Sequence, residues 1–154
     1  IILNGRIVND SMGKFVADAA IKQMIKVGKA PAKSKVIIFG LTFKENCPDT
    51  RNSKVSDVYN SLVEYGIQPI VIDPWASGED AKHEYNIELS PMEAAKEADC
   101  IILAVAHNEF KQLGLDKLIK IFKNIPQKEK ILIDVKGLYS VSEVEQSGLT
   151  YWRL

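Results

Sequence analysis

The sequence predicts an α/β fold of the Rossmann-like, three-layer kind, with a mainly parallel sheet preceded by a long helix. Three observations carry that expectation. Short runs rich in Val and Ile recur through the chain, at 35–40, 68–73, 100–106 and 130–135. They are apolar along their length instead of alternating, as strands buried on both faces require. Between them lie stretches with helical spacing, and strict β–α alternation favours parallel strands with helices on both faces of the sheet.

The first element is a helix. Ile7, Met12, Phe15, Val16, Ala19, Ala20, Met24 and Val27 recur at helical spacing, opposite Asp10, Lys14, Asp18, Lys22 and Lys26. Gly28 is the expected C-terminal cap, and Pro31 with Lys33-Ser34 forms a short linker into the strand at 35–40. A helix is expected from Lys54 to Glu64, with Val55, Val58, Tyr59, Leu62 and Val63 as its buried stripe and Gly66 beyond its end. The strand Gln68–Asp73 stops at Pro74, and Trp75–Glu84 reads as irregular. Asn86–Leu89 is a candidate short strand. Ser90-Pro91-Met92-Glu93 combines a capping residue, a proline suited to the first helical position and a capping-box glutamate, so a helix is expected to start there. Cys100–Ala106 is the most apolar strand, Leu115–Phe122 a helix and Lys130–Val135 a strand. Ser140-Val141-Ser142-Glu143 is a second capping box, and Thr150–Leu154 the last strand.

Composition narrows the classes of function. At 154 residues and 46% hydrophobic, the chain supports a substantial core and is not a disordered segment. Twenty basic residues balance twenty acidic ones, so no global field favours nucleic acid or an anionic membrane. Aromatic residues are too scattered for a base-stacking surface, and no apolar run approaches the roughly 20 residues of a membrane span. The two cysteines, Cys47 and Cys100, lack metal-ligand spacing and suit a reducing, cytoplasmic setting. Arg6, Asp10 and Lys14 interrupt any apolar leader. The chain opens without methionine and enters a helical pattern at once, which predicts a piece of a longer protein.

The topology expected from this order brings Lys44, Asp73, His107 and Lys136 to the carboxyl edge of the sheet, where open α/β sheets bind ligands. The loop after the first strand is the strongest candidate. It is long and holds Lys44, Glu45, Pro48, Asp49 and Arg51. A nucleoside diphosphate needs concentrated positive charge. Lys44 offers a point charge beside the N-terminus of the next helix, Arg51 a planar fork and Lys136 a cation from another strand. Arg51 serves equally well as an ion-pair partner of Asp49 or Glu45 that shapes the loop. Gly40-Leu41-Thr42-Phe43-Lys44 is not the G-x-G-x-x-G of a dinucleotide site, and no P-loop is present. Asp73 stands where a ribose-binding acid would, a weak signal without those glycines. His83 and His107 have no partners at metal-ligand spacing. Cys47, followed by a proline in a loop, reads as an inert thiol.

With its F-K-x-x-x-x-D-x-R-x-S pattern on Phe43, Lys44, Asp49, Arg51 and Ser53, this loop resembles the carboxyl-terminal domain of the UDP-glucose/GDP-mannose dehydrogenase family. The wording is most similar to the UDP-N-acetylhexosamine 6-dehydrogenases of surface-polysaccharide synthesis. Asn9-Asp10-Ser11-Met12, Asp73-Pro74, Asp134-Val135-Lys136-Gly137 and Tyr151-Trp152 resemble further family segments. The resemblance implies that residues 1–30 end a central, dimerising helical region and that residues 31–154 form the UDP-sugar-binding domain. It implies substrate contacts for Phe43, Lys44, Arg51 and Lys136. It also implies a homo-oligomeric complete protein that uses NAD, held mainly by an amino-terminal domain, and a nucleophilic cysteine upstream of Ile1. On that reading neither Cys47 nor Cys100 is catalytic, and the chain alone is silent. A non-catalytic Rossmann-like nucleotide-binding or regulatory module is the alternative. A G-x-G-x-x-G segment upstream in the reading frame would decide for the dehydrogenase.

Overall fold

The computed structural model describes residues 2–154, with side chains from residue 12 onward. The segment Asn9-Asp10-Ser11 and the side chain of Ile7 therefore lie outside the described side chains. Five parallel strands form one sheet in the order β2-β1-β3-β4-β5: β1 Val36–Phe39, β2 Ile70–Ile72, β3 Cys100–Leu103, β4 Ile131–Asp134 and β5 Thr150–Arg153. Ile37 lies level with Ile70 on one side and Ile101 on the other, and Ile101 with Leu132. After β2 the chain crosses back to β3, so the winding direction reverses between β1 and β3. This is the switch point at which such sheets open a crevice.

Side-chain alternation along the strands divides the core in two. Val36, Ile38, Cys100, Ile102, Ile131 and Ile133 face α1 (Ile2–Lys26), α2 (Val55–Glu64) and α3 (Gly78–Tyr85). Ile37, Phe39, Ile101, Leu103 and Leu132 face α4 (Asn108–Ile119) and α5 (Val141–Ser147). Both faces of β1, β3 and β4 are covered, which is why these strands read as apolar runs, whereas edge strand β5 is only half-buried. Each fully buried Ile, Leu or Phe contributes about 1.5–3 kcal/mol relative to exposure.

α1 shares this core from Val16 onward, through Ala17, Ala20, Ile21 and Met24. It ends as expected at Gly28, whose φ of +81° lets the Lys29 amide reach the Met24 carbonyl and the Gly28 amide that of Ile25. The chain leaves this cap with Lys29 aimed at buried Asp99, Nζ to Oδ1 2.8 Å. Asp99 also accepts from the Lys35 amide and from Lys123, which ties α1, β1 and the segment after α4 together at the amino edge of the sheet.

Four expectations are corrected. The stretch 75–84 is not irregular. α3 occupies most of it, capped by Ser77, whose Oγ accepts from the Asp80 amide, and closed by left-handed Asn86. Only Ala81 of this polar helix is buried, so no apolar periodicity announced it. Ser90–Glu93 does not open an α-helix. A single 3-10 turn, Met92–Ala94, forms without a side-chain cap, and the chain is drawn at once toward β3, where the Ala98 amide bonds the Ile121 carbonyl. Asn86–Leu89 contributes one bridge, Leu89 beside Val71, and no strand. Finally, α4 begins at Asn108, ahead of the expected Leu115. Gly114 (φ 77°, ψ 158°) interrupts its helical geometry, which hides the first turns from a periodicity count. Among the described residues no helix is long and apolar enough to cross a membrane.

Candidate functional site

The site is assembled at the switch point. At Gly40 (φ +105°) a side chain would place its Cβ 2.5 Å from Val105 Cβ, so bare backbone is required where the ends of β1 and β3 meet. The next two amides, Leu41 and Thr42, donate to Asp73 Oδ2 at 2.6 and 3.0 Å. Asp73 Oδ1 accepts from the Trp75 and Ala76 amides at 2.7 and 3.0 Å. His107, fully buried, places Nε2 3.0 Å from Asp73 Oδ2 and 3.1 Å from Thr42 Oγ1. Burial alone would push the Asp73 carboxyl up. Hydrogen bonds from His107 and from the Leu41, Thr42 and Trp75 amides outweigh it and hold the group below its ordinary value.

The loop that follows is braced along its length. The Phe43 amide donates to the Asp49 carbonyl at 2.8 Å. His107 Nδ1 accepts from the Asn46 amide at 2.9 Å, and Asn46 Oδ1 accepts from the Asn108 amide. Tyr85 Oη donates to the Thr50 carbonyl and accepts from the Ser53 amide. Asn46 and Asn52 take the left-handed conformations (φ 55° and 60°) that the glycine-poor loop assigns to asparagine. Arg51 grips Asp49 through Nε and Nη2, at 3.0 and 3.2 Å, with its side chain largely exposed. Of the two ion-pair partners considered for Arg51, Asp49 is the one engaged.

Beside this loop, on the α1–α2 face, lies a cavity of about 380 Å³. Phe43, Lys54 and Lys136 line it with Met12, Val105 and Leu154. Two of the four expected residues, Phe43 and Lys136, thus meet at one cavity from loops 93 positions apart. Lys44 is exposed on the loop next to Phe43, and Lys44 and Arg51 are not among the lining residues. Lys54 escaped the sequence reading. It sits at the N-cap of α2, where a cation opposes the helix dipole, and that mismatch was the available signal. Lys136 is held on a turn whose anchor is Asp134, which accepts from the Leu138 and Tyr139 amides and from Tyr151 Oη.

The chemistry on offer is anion binding beside an aromatic face, with the α2 N-terminus adjoining through Lys54 and Val55. Among the described residues no group of three His, Cys, Asp or Glu side chains is placed to hold a metal. Cys100 is fully buried in β3, and burial pushes its thiol far up. Nor does the sheet edge fit the pyrophosphate of NAD. The amides of Leu41 and Thr42, which would cradle it, are taken by the chain's own Asp73 carboxylate, turned inward instead of toward a ribose.

A doubly wound domain with a cationic, aromatic-walled crevice defines a member of the Rossmann-like class. Residues 37–141 match the UDP binding domain of the UDP-glucose/GDP-mannose dehydrogenase family, and the chain belongs to that family. It is similar to UDP-N-acetyl-D-glucosamine 6-dehydrogenase of Pseudomonas aeruginosa, 47% identical over 138 residues, covering 90% of this chain and 32% of that protein. The enzyme of the same name from Salmonella typhi is 41% identical, covering 88% and 31%. Among solved structures, UDP-N-acetyl-mannosamine dehydrogenase from Staphylococcus aureus superposes with a TM-score of 0.67 at 29% identity, covering 97% of this chain and 31% of that one. NDP-N-acetyl-D-galactosaminuronic acid dehydrogenase from Methanosarcina mazei shares the fold, with a TM-score of 0.85 at 22% identity, covering 98% and 30%. The chain spans about a third of the length of the curated relatives it matches.

Proposed function

We propose that this chain is the UDP-sugar-binding part of an NAD-dependent nucleotide-sugar 6-dehydrogenase. Its substrate is a UDP-N-acetylhexosamine, oxidised to the uronate for surface polysaccharide. The observation that carries this reading is the cavity where Phe43, Lys54 and Lys136 converge inside the segment matched by the family's UDP binding domain. The names of the Pseudomonas and Salmonella relatives supply the N-acetylhexosamine. Residues 31–154 form the binding domain, and residues 1–30 close a helical region shared with domains outside this chain. NAD and the nucleophilic cysteine belong to those domains, so the chain alone does not turn over.

In this reading Lys44 and Lys136 neutralise the diphosphate, Phe43 offers its ring to the nucleotide and Arg51 assists from the loop it builds with Asp49. A charge-assisted contact contributes about 1.5–3 kcal/mol, so Lys44→Ala weakens UDP-sugar and UDP by about one to two orders of magnitude. Uridine, which has no phosphate, is scarcely affected. Calorimetric titration with UDP and uridine tests this. Equal UDP affinity in wild type and Lys44→Ala removes Lys44 from the site, and an equal loss for uridine means the loop has collapsed.

A further inference from the structure

His107 belongs to none of the ligand contacts above, yet every polar atom of its buried ring is committed. Nδ1 receives the Asn46 amide hydrogen at 2.9 Å, so it must carry a lone pair. The proton is therefore on Nε2, from which it is shared between Asp73 Oδ2 at 3.0 Å and Thr42 Oγ1 at 3.1 Å. Thr42 in turn donates its hydroxyl hydrogen to the Lys44 carbonyl at 3.0 Å. Donors and acceptors balance only for the neutral Nε2–H ring. An imidazolium, or the other tautomer, would set an N–H against the Asn46 N–H. Trp75 stacks on the ring at 6.1 Å between centroids and Phe110 packs at 5.5 Å, which fixes its plane.

The two ring nitrogens thus grip the loop on either side of Lys44. Through Thr42, Nε2 reaches the Lys44 carbonyl; through Asn46, Nδ1 holds the chain two residues beyond. We propose that His107 is the positioning residue that presents Lys44 to the diphosphate. It acts through Nδ1 as hydrogen-bond acceptor and Nε2 as donor, and does not touch the ligand itself. This rests on the UDP-sugar reading. It assigns a role in that site to a residue at the N-cap of α4, 63 positions from Lys44.

The two nitrogens are separable by substitution. The Asn carbonyl in His107→Asn can stand at the Nδ1 position and still accept from the Asn46 amide. His107→Gln places its amide near Nε2 and leaves Asn46 without an acceptor. Both cut the ring from the core, so a purely structural role lowers melting temperature and affinity alike for the two. The test is NMR titration of the chain with UDP-N-acetylglucosamine, which reads even millimolar binding, together with ring nitrogen spectra of the wild type. The expected result is a ring protonated on Nε2 alone at neutral pH, an affinity loss of about tenfold or more for His107→Gln, and a loss within about threefold for His107→Asn, at similar melting temperatures. A ring protonated on Nδ1, or equal affinity losses in the two variants, overturns the proposal and leaves the UDP reading standing. No binding by the wild type overturns the UDP reading and the proposal with it. If the His107 variants do not fold, Thr42→Val, which removes the hydroxyl bridge at a residue that also lines the cavity, carries the test in wild-type and Lys44→Ala backgrounds. Unchanged affinity, or an equal loss in both backgrounds, overturns the proposal, and a loss confined to the background that retains Lys44 supports it.

Discussion

Asp73 accepts hydrogen bonds on both carboxylate oxygens, from Leu41, Thr42 and His107 on one and from Trp75 and Ala76 on the other. Asp73→Asn is nearly isosteric but must turn an NH₂ toward one of those sets of donors. Hydrogen bonds to a charged group are worth about 1.5–3 kcal/mol, so a loss of about 2–3 kcal/mol is expected by urea denaturation, and an unchanged midpoint would show the carboxylate to be dispensable. The same residue marks the limit of what the sequence could tell about the site. Its position after β2 was legible, since topology carries strand ends to one edge. Its inward direction was not, because that depends on amides 31 and 32 positions away. Lys136 was legible for the same topological reason, and Phe43 through the family resemblance of its loop. The bracing by His107 and Tyr85 was not, since those partners lie in α4's entry and at the end of α3, and the α3 helix itself escaped the periodicity count.

At the scale of elements, α1 packs closely on α2 at Gly13. A Cβ added at Gly13 would lie 2.4 Å from Asp57 Cβ and 3.0 Å from its backbone carbon. Gly13→Ala therefore forces the helices apart, at a cost of about 1–3 kcal/mol by the usual penalty for overpacking. Because Met12 and Gly13 also line the cavity, the variant is expected to lose UDP-sugar affinity along with thermal stability. A melting curve matching wild type would show that α1 is not seated on α2 in solution. Element by element, the sheet was legible wherever burial on both faces left an unbroken apolar run. Elements whose apolar signal is thin were missed, as with α3, where one alanine is buried, and the first turns of α4, cut off by Gly114. The Ser140 cap formed, Oγ accepting from the Glu143 amide at 3.2 Å, whereas the same pattern at Ser90 did not cap a helix. A cap stabilises a helix only if the chain has room to propagate one, and Glu97, at φ 56°, already turns the backbone toward β3.

Across the whole molecule, two buried carboxylates pin opposite edges of the sheet: Asp73 at the crevice and Asp99 at the amino edge. Asp99 accepts from Lys29 Nζ at 2.8 Å, Lys123 Nζ at 2.5 Å and the Lys35 amide at 2.8 Å. Burial pushes its carboxyl up, and the hydrogen bonds from Lys123, Lys29 and Lys35 overcome that and hold it below its ordinary value of 3.8. Both aspartates therefore have folded values under the unfolded one. Their stabilisation is complete above the unfolded value and is lost as pH falls through it toward the folded values, because protons then bind the unfolded chain more readily. The contribution of these two aspartates should be level from neutral pH to about pH 5 and fall steeply below about pH 4. Arg51–Asp49, exposed at the loop, adds little to this. Asp99→Asn separates the contributions. At neutral pH it should cost about 3 kcal/mol, since it leaves the nearly buried Lys29 ammonium without its carboxylate. Below pH 4 its stability should decline less steeply than that of wild type, one titrating carboxylate having been removed. Urea midpoints from pH 7 to pH 2.5 measure both effects, and parallel curves for the two proteins would show that Asp99 does not link folding to acid.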